Sequence, residues 1–409
     1  MCWHRNPIQC IVPPHLARRL AESKDPAVRA RALQNLALAA RVRGRRDILS
    51  LIALPARAVN GEHRSIYDAR NGTDLPGQLV RDEGGAATGD PAADEAYDGL
   101  GATYDLYYEV YGRNSLDNRG LPLVASVHYG QQFDNAEWDG QQMLFGDGDG
   151  QYFNRFTIAL DVIGHELTHG VTQYTAKLEY QDQPGALNES FSDVFGSLVK
   201  QHANGQDAAS ADWLIGAGIF TDQVHSGVPG RPAALRSMLH PGTGYNDPVL
   251  GKDPQPDNMR GYVQTQDDNG GVHINSGIPN RAFALTAVAL GGNAWDDPGH
   301  IWYTTLLRLH QNAQFQDAAD TTYQVAGEEF GAGSAQQQAV LDAWNEVGIR
   351  VSGVRGGRVP HRRVREKAAA LAGNGHSNGG NVPEQIEKLA EGLKKLTDVV
   401  NKKLAAGKK

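Results

Sequence analysis

An α+β fold is predicted, with a β-rich half followed by an α-helical half, and three observations predict it. Apolar residues alternate in short runs up to about Thr157. Turn signals such as Asn71-Gly72 and Asp139-Gly140 interrupt those runs, and from Ile158 onward the apolar spacing lengthens to three and four residues. The chain has 409 residues, 40% of them hydrophobic. That is too long for one small domain and ample for a sizeable core.

Residues 1–64 read as a leader. A Pro-Pro turn at Pro13-Pro14 precedes a helical stretch from Leu16 to Leu20, and an Ala/Leu/Arg-rich segment with helical periodicity runs from Asp25 to Arg43. The run Arg41-Val-Arg-Gly-Arg-Arg46 reads as an easily cut linker. Residues 65–157 carry strand-like segments such as Leu121-Pro-Leu-Val-Ala-Ser-Val-His128, punctuated by tight turns including Gly146-Asp-Gly-Asp-Gly150. Residues 158–351 carry helices. One places Leu160, Ile163, Leu167 and Val171 on a single face, the next Phe191, Val194, Phe195 and Leu198, and the helical pattern ends near Trp344 to Ile349. Residues 352–383 are Gly/Arg/Asn-rich and read as a disordered basic linker. In 384–404, Ile386, Leu389, Leu393, Leu396 and Val400 recur at spacings of three and four, which predicts an amphipathic helix for docking or self-association.

Charge is segmented. Residues 1–64 carry 12 Lys/Arg against 4 Asp/Glu and residues 352–409 carry 13 against 5, so with −8 overall, residues 65–351 hold −24. A basic leader beside an acidic body favours docking within the chain or to a partner, and disfavours nucleic-acid binding by the body. No run approaches the roughly 20 apolar residues of a membrane span. The N-terminus shows no charged start, apolar run and cleavage site of the Sec type. Export by another route is the expectation. The cysteines, Cys2 and Cys10, cannot staple the body, so Cys2 is expected free and Cys10 buried.

The central chemical signal is His165-Glu166-Leu167-Thr168-His169 within a helical run. Histidines at i and i+4 leave one helix face together and can converge on one Zn²⁺. Glu166 then stands beside the metal, where it can take a proton from bound water. A third ligand is expected from a second helix, Gly185-Ala-Leu-Asn-Glu-Ser-Phe-Ser-Asp193, as Glu189. Asp193, four residues on, is suited to accept the spare N–H of a ligating histidine, expected to be that of His165.

Together with Ala234-Leu-Arg-Ser-Met238 and Gly270-Gly-Val-His-Ile-Asn-Ser-Gly277, the blocks Asp161 to Gly170 and Gly185 to Asp193 resemble the signatures of the thermolysin family, in its order and spacing. The resemblance spans about Ile66 to Ile349. It implies a two-lobed zinc endopeptidase whose cleft is floored by the helix bearing His165. It implies His165, His169 and Glu189 as zinc ligands and Glu166 as general base, with Tyr180 and His273 stabilising the oxyanion and Asp268 orienting His273. Substrate backbone contacts fall on Asn135, Ala136 and Arg236. The pocket for the side chain after the cut is lined by Phe153, Val162, Ile215 and Leu235, favouring cleavage before large apolar residues. Glu137 departs from the family's aromatic residue there, so the polarity of that cleft wall differs. Of the acids that bind paired calcium in relatives, Asp161 and Asp212 are matched. Lys200, Leu214 and Ala217 replace others, which makes calcium doubtful and suggests Lys200 as an ion-pair substitute.

The segment Cys10-Ile-Val-Pro-Pro-His-Leu-Ala17 resembles the short propeptide of the protealysin-like branch, whose Pro-Pro element contacts the cleft. Direct contact of Cys10 or His15 with the zinc is the lesser alternative, and maturation is expected between Arg46 and Ser65. The expected partners are peptide and protein substrates and the chain's own leader. Two rival readings, an inactive zinc-binding scaffold and a zinc aminopeptidase, fit less well. The first would have lost Glu166, Tyr180 or His273, and the second needs an acidic site for a free amine.

Overall fold

A computed structural model describes residues 10–51 and 61–354, except the side chains of residue 43 and residues 46–51. The linker beyond residue 354, the amphipathic segment 384–404 and Cys2 lie outside the described residues. In the leader, Pro14 opens helix α1 (Pro14–Ala21) at a position where its missing N–H costs nothing. Leu16 and Leu20, one turn apart, are both buried. Helix α2 (Pro26–Leu51) runs farther than its periodicity suggested and takes in the whole arginine run. That run is therefore no linker. Ala, Leu and Arg are strong helix formers, and the single Gly44 costs only about 1 kcal/mol. Two of its arginines are also engaged, Arg41 donating to Thr73 Oγ1 at 2.9 Å and Arg45 pairing with Asp139 at 3.5 Å.

The first half is organised by a five-stranded sheet of β1 (Arg64–Asp68), β2 (Gln78–Asp82), β3 (Leu123–Val127), β4 (Ala136–Trp138) and β5 (Met143–Phe145), in the order β2-β1-β3-β5-β4. The β1–β3 and β3–β5 pairs are parallel, and the outer pairs antiparallel. The turn from β4 to β5 is held by Asp139, whose Oδ1 accepts from the amides of Gln141 and Gln142 at 2.9 Å. The β-rich expectation missed one long helix, α3 (Pro91–Asp105), continued by a π-helical turn at Leu106–Val110. Asp90 caps it by accepting from the amide of Ala92, and Pro91 starts it. Gly99 and Gly101 interrupt the apolar period that would have revealed it.

The second half contains α4 (Leu160–Gln173), α5 (Asp182–Asn204), α6 (Asp268–Asn275), α7 (Gly277–Leu290), α8 (Asp297–Arg308), α9 (Phe315–Phe330) and α10 (Ala335–Glu346). Two short ladders join them, β6 (Leu214–Ile215) with β7 (Arg236–Ser237), and β8 (Asn246–Asp247) with β9 (Gly251–Lys252). Helices α4 and α5 meet at backbone distance because Gly196 carries no side chain. A Cβ there would lie 2.3 Å from the carbonyl of Asp161 and 2.9 Å from the amide of His165. Of the predicted apolar faces, Ile163, Leu167 and Val171 on α4 and Phe191, Val194, Phe195 and Leu198 on α5 are buried, while Leu160, at the start of α4, is half-buried. Among the described residues no helix is long and apolar enough to cross a membrane.

Candidate metal centre and active site

The close approach of α4 and α5 brings His165, His169 and Glu189 together, each completely buried. The Nδ1 atoms of both histidines are committed. His165 Nδ1 lies 2.8 Å from Asp193 Oδ1, and His169 Nδ1 lies 2.9 Å from Asn188 Oδ1 and 3.0 Å from Ser192 Oγ. A proton on each Nδ1 leaves an Nε2 lone pair on each ring, and these two nitrogens face each other at 3.1 Å. The Glu189 carboxylate completes a triangle, 3.5 Å from His165 Nε2 and 3.4 Å from His169 Nε2. Three ligands of a tetrahedral zinc, each at 2.0–2.1 Å, stand about 3.3 Å apart, so the donor set fits a metal. Among the described residues the buried Glu189 Oε2 accepts no hydrogen bond, as a ligand atom should. Glu166 clusters with both histidines and accepts from the Trp138 amide at 2.9 Å.

Two further side chains close in from other elements. The Tyr180 hydroxyl donates to Glu189 Oε1 and lies 3.3 Å from His273 Nε2. His273 sits past a kink in α6 where Asp268, Asn269, Gly270 and Gly271 all have positive φ. Gly270, at φ 84°, is required there, since a Cβ would lie 2.0 Å from Asp182 Oδ1. The kink folds Asp268 back onto His273, with Oδ1 2.6 Å from Nδ1 and Oδ2 accepting the His273 amide at 2.9 Å. Burial opposes a charged imidazole, but the carboxylates of Asp268 and Glu189 outweigh it and raise the pKa to about 9.

Arg236 lies on β7, where it is almost fully buried. Its Nε and Nη2 both go to Asp193, each at 2.8 Å, leaving Nη1 to donate to the Ile11 carbonyl at 3.1 Å. Asn280 adds a donor to Asp193 at 2.7 Å. Asn135 and Ala136 also meet the leader, through Val12 N at 3.1 Å and Ile11 N at 3.2 Å. Val162, Ile215 and Leu235 are buried on α4, β6 and the segment leading into β7, while Phe153 lines a cavity shared with Val12 and Pro14. Cys10 reaches the site through its backbone, its carbonyl oxygen 3.0 Å from His273 Nε2. Its thiol points to the Val12 carbonyl at 3.4 Å, and burial and then Glu137 push its pKa up. His15 Nε2 lies 2.8 Å from the Tyr245 hydroxyl, its pKa lowered by burial to about 4.

Sequence reasoning missed Asn188, Ser192, Asn280 and the Trp138 amide. For the first two a signal existed: like Glu189 and Asp193, they are polar residues four apart on one helix. Beyond the centre, Lys200 Nζ donates to Asp161 at 2.7 Å, Asp212 at 2.9 Å and the Leu214 carbonyl at 2.8 Å.

Residues 56–173 match the family model for the catalytic domain of thermolysin metallopeptidases, and residues 176–349 match that for their alpha-helical domain. An extracellular metalloprotease of Pectobacterium carotovorum subsp. carotovorum is 51% identical over 358 residues, which is 84% of this chain and 97% of that protein. Protease PrtS of a Photorhabdus strain is 52% identical over 293 residues, 71% of this chain and 77% of that protein. The solved precursor of protealysin, a metalloproteinase from Serratia proteamaculans, superposes with a TM-score of 0.75 at 51% identity, covering 83% of this chain and 99% of that one. The chain belongs to the thermolysin family of metallopeptidases.

Proposed function

We propose that the chain is the precursor of a zinc-dependent endopeptidase that cuts on the N-terminal side of large apolar residues and processes itself. The observation that carries this reading is the triangle of His165, His169 and Glu189 with Glu166 beside it. Residues 1–64 are its inhibitory propeptide, and residues 65–157 and 158–351 the two lobes of the peptidase. Zinc held by the three ligands supplies Lewis acidity and a water of lowered pKa. Glu166 takes the proton of the attacking water and passes it to the leaving amine. Tyr180 and His273 donate hydrogen bonds to the developing oxyanion, with Asp268 fixing the imidazole. Asn135, Ala136 and Arg236 hold the substrate backbone, and Phe153, Val162, Ile215 and Leu235 form the apolar wall after the cut. Relatives named extracellular support a secreted enzyme.

An internally quenched peptide and an amino-acid anilide, each with and without chelator, test the reaction class. Chelator-sensitive turnover of the peptide alone is expected. Turnover of the anilide alone would indicate an aminopeptidase, and turnover of neither a scaffold. Cleavage sites mapped on a denatured protein should precede Leu, Phe, Ile or Val, and a dominant Asp or Lys after the cut would contradict the assigned pocket.

A further inference from the structure

The leader crosses the cleft as extended chain antiparallel to β4, with Cys10 paired opposite Glu137, so it extends the sheet at its edge strand. Four contacts set its register. The Ile11 amide donates to the Ala136 carbonyl at 3.2 Å, and the Val12 amide to Asn135 Oδ1 at 3.1 Å. Arg236 Nη1 donates to the Ile11 carbonyl at 3.1 Å, and His273 Nε2 lies 3.0 Å from the Cys10 carbonyl oxygen. In peptide hydrolysis the bond attacked is the one whose carbonyl oxygen meets the oxyanion donors. That carbonyl is Cys10's, and the nitrogen that follows it is Ile11's. Ile11 is fully buried and is also the type of residue proposed above to follow the cut.

Resting on the zinc-endopeptidase reading, we propose that the leader is bound as a substrate and that the chain hydrolyses its own Cys10–Ile11 bond. This is a second processing site, upstream of the one that frees the mature enzyme. Water adds across the amide: its hydroxyl goes to the Cys10 carbonyl carbon, and Glu166 carries its proton to the Ile11 nitrogen as the C–N bond breaks. Residues 1–10 leave with a new carboxylate, and nothing is oxidised or reduced. The cut does not free the rest of the leader, because its anchorage lies downstream of Ile11. Val12, Leu16, Leu20, Val28, Ala32, Ala39 and Val42 are buried, Arg31 donates to Gln151 at 2.6 Å, and Asn35 donates to Asp134 at 2.8 Å. The nicked, still covered precursor is the intermediate.

The full-length chain, purified with chelator and then given zinc, is followed by intact mass and N-terminal sequencing. A new N-terminus at Ile11 is expected before or together with loss of the leader. Ile11→Asp should slow this cut more than tenfold, Ile11→Leu should preserve it, and Glu166→Gln should leave the chain whole. A mature preparation that turns over the quenched peptide, yet yields only leader fragments with Cys10 and Ile11 still joined, overturns the proposal and spares the peptidase reading. No turnover of the quenched peptide overturns both. Independently of activity, amide hydrogen exchange at Ile11 and Val12 in the metal-free chain should be at least tenfold faster in Ile11→Asp than in wild type, and equal rates would overturn the register.

Discussion

Glu166 and Asp193 are both fully buried carboxylates of one site, and their surroundings give them different roles. Asp193 faces His165 Nδ1, two nitrogens of Arg236 and the amide of Asn280. Burial pushes its pKa up, but Arg236 and His165 more than reverse this and hold it below the usual carboxylate range. It therefore stays charged, orients His165 and keeps the Arg236 fork filled. Asp193→Asn should weaken metal affinity by about 10–100-fold, as loss of a partner behind a ligating histidine does, measured by competition with a chelating indicator. Unchanged affinity would remove that role from it. Glu166→Gln should bind metal stoichiometrically while losing at least about a hundredfold in turnover, since only the proton acceptor changes. Near-normal turnover with full metal content would contradict the assignment.

Between elements, Lys200 ties α5 to the start of α4 and to the Asp212–Leu214 segment. Burial opposes its charge, but Asp161 and Asp212 outweigh that and raise its pKa. If the ammonium replaces an ion, the mature enzyme should be indifferent to calcium, because no cation then favours the folded state by mass action. Lys200→Ala should cost about 3 kcal/mol by leaving the buried Asp161 unpaired. Thermal midpoints with millimolar calcium and with a calcium-selective chelator check both, and a large calcium-dependent rise in wild type would contradict the first. A second inter-element contact joins α2 to the segment before β4, where Asn35 covers the Asp134 carboxyl. Burial, then Asp149, raises the Asp134 pKa to about 8, with Arg31 partly offsetting them. Docking therefore takes up a proton between the ordinary carboxylate range and about pH 8. Leader affinity should fall as pH rises across that window and level off above it. Asp134→Asn should flatten the profile of leader release, and an unchanged slope would show that Asp134 does not carry it.

For the whole molecule, opposite charge and apolar burial act together in holding the leader. Arg18–Asp267 is exposed on both sides and contributes little. Arg31 and Arg45, in contrast, meet the buried carboxylates of Asp149 and Asp139. Raising ionic strength from about 0.1 M to about 1 M shortens the screening length from about 10 Å to about 3 Å. Leader release should then quicken severalfold, read as the rate at which turnover of a quenched peptide appears. A rate indifferent to salt would assign the hold to the apolar face of α1 and α2 alone.

Local chemistry made much of this legible. The i, i+4 pair of His165 and His169 needs only a helix, so spacing alone names it, whereas Glu189 and Asp193, also four apart on a helix, stand out from an ordinary solvated face only beside the family resemblance. The helical second half followed from apolar period, as did α1 and the start of α2. Helix α3 stayed hidden because Gly99 and Gly101 broke its period, and the arginine run was misread because charge looked like a linker where propensity continued a helix. What the tertiary structure alone decided was which atoms meet across long separations in the chain. Nothing in the local pattern could say that the Arg236 fork turns to Asp193, that Asn280 joins them, or that Asn188 and Ser192 hold His169. Nor could it say that Cys10 enters the cleft by its carbonyl and not its sulfur. Those outcomes depend on the register of the leader against β4 and on the glycine-permitted approach of α4 to α5, and backbone packing sets both over distances that spacing in one segment does not encode.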